Sequence, residues 1–121
     1  MTVTDVDVEA ITLVLRDYFE GWYDGDVERM DQALHPDLVK RSPAVAEPGR
    51  LGITTKQRML ELTSTGEGAG DGQDRHLDIV VTDVHGVIAS AIVSAARYHE
   101  YVHLVRVDGR WQVANTLWQP V

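Results

Sequence analysis

Residues 101–118 read YVHLVRVDGRWQVANTLW. β-branched and aromatic side chains alternate on either side of Asp108-Gly109, and Asp-Gly is among the strongest hairpin signals because both positions tolerate positive φ. With a two-residue turn there, Val107 opposes Arg110, Val105 opposes Gln112 and His103 opposes Ala114. Cross-strand partners share a face, and every second residue points the same way. One face then carries Tyr101, His103, Val105, Gln112, Ala114, Thr116 and Trp118. The other carries Val102, Leu104, Arg106, Trp111, Val113, Asn115 and Leu117. The first mixes apolar walls with a histidine, a tyrosine and small polar groups, which suits a ligand cavity. The second is mostly aliphatic and reads as a surface to be buried.

Upstream, the two-residue period continues through His76–Asp83 and Val87–Tyr98, with turns expected at Val84-His85-Gly86 and His99-Glu100. A two-residue turn at His99-Glu100 sets Ala96 opposite His103 and brings Ser90 and Ile92 onto the cavity face. A bulge there would swap the faces of the preceding strand. Before Arg75 the period is helical. Val8, Ile11, Leu15, Tyr18 and Trp22 recur every three or four residues, predicting an amphipathic helix over roughly residues 5–24 with Thr4 as its N-cap. Gly25 stops it, and Asp26 caps a shorter helix that ends before His35-Pro36. Leu38–Arg50 carries two prolines, Pro43 and Pro48, and reads as irregular, with at most a short strand hairpin. Thr54 and Gln57 form a capping box for a third helix running to about Thr65. Gly66–Asp74 reads as a glycine-rich, acidic loop. The expected fold is α+β: three N-terminal helices packed on a curved, mostly antiparallel sheet, in one domain over residues 1–121.

Composition narrows the function classes. With no cysteine among 121 residues, disulfides, thiolate metal sites and cysteine nucleophiles are excluded. The formal charge of −8 repels phosphate backbones and anionic lipid, so neither nucleic acid nor a membrane is an expected partner. MTVTDVDVEA lacks a basic and an apolar region, so no secretory signal is read there and a cytoplasmic location is expected. The helices cover one sheet face only, so the aliphatic face is expected to meet a second copy in a homodimer.

The stretch LRDYFEGWYDGDVERMDQALHPDLVKR, the helix near Thr54–Thr65 and the closing YVHLVRVDGRWQVANTLW together resemble the nuclear transport factor 2-like superfamily. The similarity is greatest to its putative lumazine-binding group, beside ketosteroid isomerase and the SnoaL-like polyketide cyclases. The resemblance implies a cone-shaped roll with a pocket between helices and concave sheet, and frequent dimers through the outer sheet face. It places Tyr18 where ketosteroid isomerase keeps its oxyanion-hole tyrosine, and His103 where that enzyme keeps a protonated carboxylic acid. Ala114, Thr116 and Trp118 match its pocket-lining positions. Its general-base aspartate would fall near Ser42, where no carboxylate stands, which argues against steroid isomerisation by that mechanism.

Tyr18 and His103 are therefore the candidate catalytic pair: a phenol donor and an imidazole can polarise a carbonyl or move a proton. The plain alternative is a satisfied core histidine and a packing tyrosine. Trp22, Tyr101, Val105, Ala114, Thr116 and Trp118 are the candidate substrate-binding residues, with the two tryptophans able to stack a flat ligand. Asp24 and Asp78 are the nearest carboxylates for a base, and solvated surface roles suit both. No metal site and no cofactor are expected: His99 and His103 lie about 13 Å apart along a strand, too far to chelate one ion. Three functions remain. The first is cofactor-independent isomerase, cyclase or dehydratase chemistry on a small hydrophobic or polyketide-like molecule. The others are non-catalytic ligand binding and a protein-interaction module using Trp111 or Leu104.

Overall fold

A computed structural model describes residues 5–71 and 74–121. Helix α1 (Asp5–Asp24) buries Ile11, Leu15, Tyr18 and Phe19 along one stripe and carries Asp5 and Asp7 in its first turn, where carboxylates complement the helix dipole. Thr4, read as its cap, lies outside the described residues. Gly25 ends the helix in the left-handed region, at φ 66. Asp26 caps α2 (Val27–Ala33) by accepting from the Arg29 amide at 3.1 Å. The cap of α3 (Lys56–Ser64) is Thr55, one residue later than expected, its hydroxyl accepting from the Arg58 amide at 3.3 Å.

Six strands form one sheet: β1 (Leu34–Ser42), β2 (Gly52–Thr55), β3 (Leu77–His85), β4 (Ile88–Ala95), β5 (Tyr98–Val107) and β6 (Arg110–Pro120). Their order is β2-β1-β6-β5-β4-β3, with β1 parallel to β6 and all other neighbours antiparallel. The sheet is open and curved, and the three helices pack on it.

Three findings correct the sequence reading. First, Leu38–Ser42, read as irregular, belongs to the nine-residue strand β1, which begins at Leu34. Pro36 and Pro43 sit near its two ends, and neither removes a bond from its paired centre, Val39–Arg41. Second, the β4–β5 turn lies at Ala96-Arg97 rather than His99-Glu100, so Ser90, not Ala96, opposes His103. The shift is even, so Ser90 and Ile92 still share a face with His103 and Tyr101, as expected. Third, β6 carries a bulge. The Asp108-Gly109 turn forms as expected, with φ 52 and 77, and pairing follows it as far as Leu104↔Val113. Beyond that, His103 opposes Asn115, and Ala114 is the extra residue.

The bulge and the helices together reassign the faces. Val102, Leu104, Trp111 and Val113, expected at a subunit interface, pack under α1 of the same chain with Ile11, Leu15, Met30 and Leu34. Asp7 of α1 accepts hydrogen bonds from Trp111 Nε1 at 3.4 Å and Arg106 Nη1 at 3.3 Å, fixing the helix over that face. Tyr101, His103, Val105 and Ala114 consequently point to the outer face. Past the bulge the alternation of β6 is offset by one, which returns Thr116 and Trp118 to the inner face.

Candidate functional site

Where α1 and α3 diverge from the sheet they leave a cavity of about 290 Å³. Phe19 and Trp22 of α1, Met59 and Leu62 of α3, and Tyr98 and Trp118 of the sheet form its apolar walls. Trp118 meets Tyr98 edge to face, with centroids 5.6 Å apart. Behind Trp22 runs the short 3-10 segment Glu67–Asp71, whose Gly68 touches the backbone of Trp22 so closely that a Cβ there would lie 2.1 Å from its carbonyl oxygen.

Three polar side chains converge on the floor. Tyr18 comes from the buried stripe of α1. Lys40 follows from the alternation Leu38, Lys40, Ser42, all buried, which points inward from β1. Glu100 lies in the inward series Tyr98, Glu100, Val102, Leu104 of β5, between Val93 and Trp118 on its neighbouring strands. Tyr18 Oη donates to Glu100 Oε1 at 3.0 Å, and Lys40 Nζ donates to Tyr18 Oη. Lys40 Nζ is 3.7 Å from Glu100 Oε1 and 4.8 Å from the centroid of the Tyr18 ring. Exposure is 2% for Tyr18, 7% for Lys40 and 2% for Glu100. Thr116 lies beside Lys40 in the sheet, buried, and its hydroxyl has no hydrogen-bond partner among the described residues.

Burial sets the proton affinities. The Tyr18 phenol is pushed well above its ordinary 10.0, first by desolvation and then by the charge and hydrogen bond of Glu100. It stays neutral and available as a donor. Lys40 is lowered from 10.5, because loss of water outweighs the attraction of Glu100. The floor thus holds a neutral phenol, an amine eased toward its neutral form and a carboxylate, joined by hydrogen bonds in an apolar setting.

Of the residues expected at the site, Tyr18, Trp22 and Trp118 line this cavity. Thr116 is buried on the same sheet face but is not part of the lining. Tyr18 and His103 are not brought together. His103 is exposed in an outer groove with His35, Asp37, Asp83 and His85, and Val105 and Ala114 border the same groove. Tyr101, 54% exposed, also faces outward. Asp24 is at the surface and pairs with Arg75 at 2.6 Å, and Asp78 is exposed on β3. Ser42 is buried and accepts from the Ala44 amide at 3.1 Å. Lys40 and Glu100 escaped the sequence reading. The available signal was a charged residue in phase with buried neighbours on each strand: Leu38 and Ser42 around Lys40, Tyr98 and Val102 around Glu100. Among the described residues, no group of three or more histidines and carboxylates is placed to hold a metal ion, and no helix is long and apolar enough to cross a membrane.

Helices packed on one face of an open, curved sheet give this chain the nuclear transport factor 2-like fold. Within it, the chain belongs to the family described as putative lumazine-binding, which matches residues 6–119. No curated protein matches it. Among solved structures, it is similar to a nuclear transport factor 2-like protein of unknown function from Silicibacter pomeroyi, with TM-score 0.76 and 14% identity over 99% of this chain and 100% of that one. A second such protein, from Shewanella baltica, gives TM-score 0.75 and 20% identity over 99% and 98% of the two chains. A ketosteroid isomerase-like protein from Erwinia carotovora gives TM-score 0.70 and 18% identity over 98% of each. At these identities the likeness concerns the fold.

Proposed function

We propose that the inner pocket takes a flat, largely apolar small molecule bearing a carbonyl group and acts on it by cofactor-independent acid–base chemistry of the isomerase, cyclase or dehydratase kind. The observation that carries this reading is the buried Tyr18–Lys40–Glu100 cluster at the floor of an aromatic-walled cavity. Such groups are costly to bury, and in a pocket they are most readily understood as serving a ligand. Stacked near Trp22 and Trp118, the ligand would turn its oxygen toward Lys40 and Tyr18, whose N–H and O–H groups stabilise negative charge developing there. Glu100 then accepts a proton from the carbon next to that carbonyl and returns it elsewhere on the skeleton. The ketosteroid isomerase-like neighbour lends support through its fold alone.

The test is exchange of α-protons for deuterium in D2O, followed by NMR over a panel of flat cyclic ketones and enones. Glu100→Gln is expected to abolish exchange while leaving binding, read by tryptophan fluorescence, within a few-fold. Binding without any exchange in the unaltered protein supports the second reading, a non-catalytic binder. The family description favours that reading, with a bicyclic heteroaromatic ligand between the tryptophans; quenching of Trp22 and Trp118 by a lumazine tests it directly.

The same reading has the chain act as one domain, in the cytoplasm, paired with a second copy through the outer sheet face. There Ile88, Tyr101 and Leu117 are 57%, 54% and 47% exposed. Light scattering is expected to give twice the 13.5 kDa chain mass, and Tyr101→Lys to give the monomer. A monomeric unaltered protein would overturn the pairing.

A further inference from the structure

We infer that Lys40 is a covalent catalyst, its Nζ forming an imine with the carbonyl carbon of the ligand, so that the substrates are aldehydes or ketones activated as iminium ions rather than only by hydrogen bonds. The inference rests on the pocket reading above and deepens it.

Three observations support it. Lys40 Nζ lines the cavity within an apolar, aromatic setting, 5.5 Å from the centroid of Trp118 on one side and 4.8 Å from that of Tyr18 on the other. Its hydrogen bonds form a directed chain, from Nζ–H to Tyr18 Oη and from Tyr18 Oη–H to Glu100 Oε1. Finally, burial lowers its proton affinity, which raises the fraction of nucleophilic free amine.

The chain gives each proton a route. The ammonium proton passes to Tyr18 as the Tyr18 proton passes to Glu100, leaving a free amine and a protonated carboxyl. The Nζ lone pair forms the N–C bond, the carbonyl π pair moves to oxygen, and a proton shifts from nitrogen to that oxygen, giving a carbinolamine. Glu100 returns its proton through Tyr18 to the hydroxyl, the C–O bond breaks, and water leaves. The sum is ammonium plus carbonyl compound giving iminium plus water, with atoms and charge balanced. Glu100, again a carboxylate, can then take a proton from the carbon next to the iminium, the C–H electron pair passing toward the positive nitrogen to form an enamine. Water reverses the sequence and frees the product.

The sequence makes the test clean, because the chain has two lysines. The second, Lys56, is tied by its ammonium to Asp31 Oδ1 at 3.0 Å and to the Leu34 carbonyl at 2.9 Å. The full-length protein is incubated with 2-naphthaldehyde and sodium borohydride, its intact mass is measured, and the modified peptide is sequenced. Binding of 2-naphthalenemethanol, which has the same ring system but no carbonyl, is measured in parallel by tryptophan fluorescence. The expected result is one adduct, heavier by the aldehyde less one oxygen, located at Lys40 and absent in Lys40→Arg. Labelling at Lys40 should outweigh labelling at Lys56 near neutral pH, because burial lowers the proton affinity of Lys40 and leaves more of it as free amine. Labelling spread evenly over Lys56 and the terminal amine overturns the inference. Binding of the alcohol without an adduct at Lys40 also overturns it, and leaves the pocket reading standing. Failure of both the alcohol and the aldehyde overturns the two together.

Discussion

Replacing Lys40 with methionine asks whether the pocket floor is held by charge. Methionine replaces the apolar stem of lysine, stops one atom short of its ammonium, and so removes the cation 3.7 Å from Glu100, which is 2% exposed. Breaking a buried pair by removing one partner costs about 3–5 kcal/mol, because the remaining charge is left uncompensated. Here Tyr18 still donates to Glu100 at 3.0 Å, so the loss should lie at the lower end, ~3 kcal/mol. With a urea m-value of about 1.5 kcal/mol/M for a chain of this size, the unfolding midpoint falls by ~2 M. Adding Glu100→Gln removes the stranded charge and keeps an acceptor for Tyr18, so Lys40→Met/Glu100→Gln should regain at least half of that loss. Urea titration of the two single variants, the double variant and the unaltered protein closes a double-mutant cycle. A coupling of about 1.5 kcal/mol or more is expected; additivity within ~0.5 kcal/mol would refute the ion pair as the organising element of the floor.

The same groups set an alkaline pH dependence. Lys40 holds its proton less tightly in the folded chain, so between its lowered value and 10.5 the unfolded chain binds more protons and stability rises with pH. Tyr18 acts in the opposite sense: its raised value means stability falls as pH climbs past 10.0. Urea midpoints from pH 7 to 11 should therefore show a rise that Lys40→Met abolishes and a fall that Tyr18→Phe reduces. Gly68→Ala should cost about 1–3 kcal/mol, since the new Cβ meets backbone at 2.1 Å and the segment must lift off Trp22. A weaker response of Trp22 fluorescence to ligand should accompany that loss. Thr116→Val replaces a buried hydroxyl that has no partner among the described residues, and thermal unfolding should show it neutral or stabilising by ~1 kcal/mol.

Much of this architecture can be read from side-chain period alone, and the failures have local causes. The four-strand meander follows from alternation around Asp108-Gly109, and α1 from the spacing of Ile11, Leu15 and Tyr18. Tyr18, Trp22 and Trp118 could thus be placed in the pocket. Strand β1 is hidden because Pro36 within it, Pro43 just after it and its polar residues leave little two-residue pattern in LHPDLVKRS. Glu100 was lost to a turn set three residues too late, since Ala96-Arg97 carries no turn residue to announce itself. The inversion of His103 has a different origin. The hairpin arithmetic is sound up to Val113, but nothing in VANTL marks Ala114 as an inserted residue. Parity therefore paired Tyr101 and His103 with Thr116 and Trp118, which lie on the opposite face.

The position of β1 in the sheet bears on when the pocket can exist. This strand is flanked by β2 and β6, so the first half of the chain has only a two-stranded ribbon until residues 110–120 arrive. Isolated two-stranded ribbons are marginal in water, and distant pairings form late because long loops must close first. Tyr18 and Glu100 lie 82 residues apart in the chain. A nascent polypeptide halted before β6 therefore carries Lys40 as an ordinary hydrated cation, with neither Trp118 nor the β1–β6 ladder to enclose it. Synthesis order makes the pocket the last part of the molecule to appear. Ligand binding, wherever it is detected, consequently reports chains whose final strand has docked.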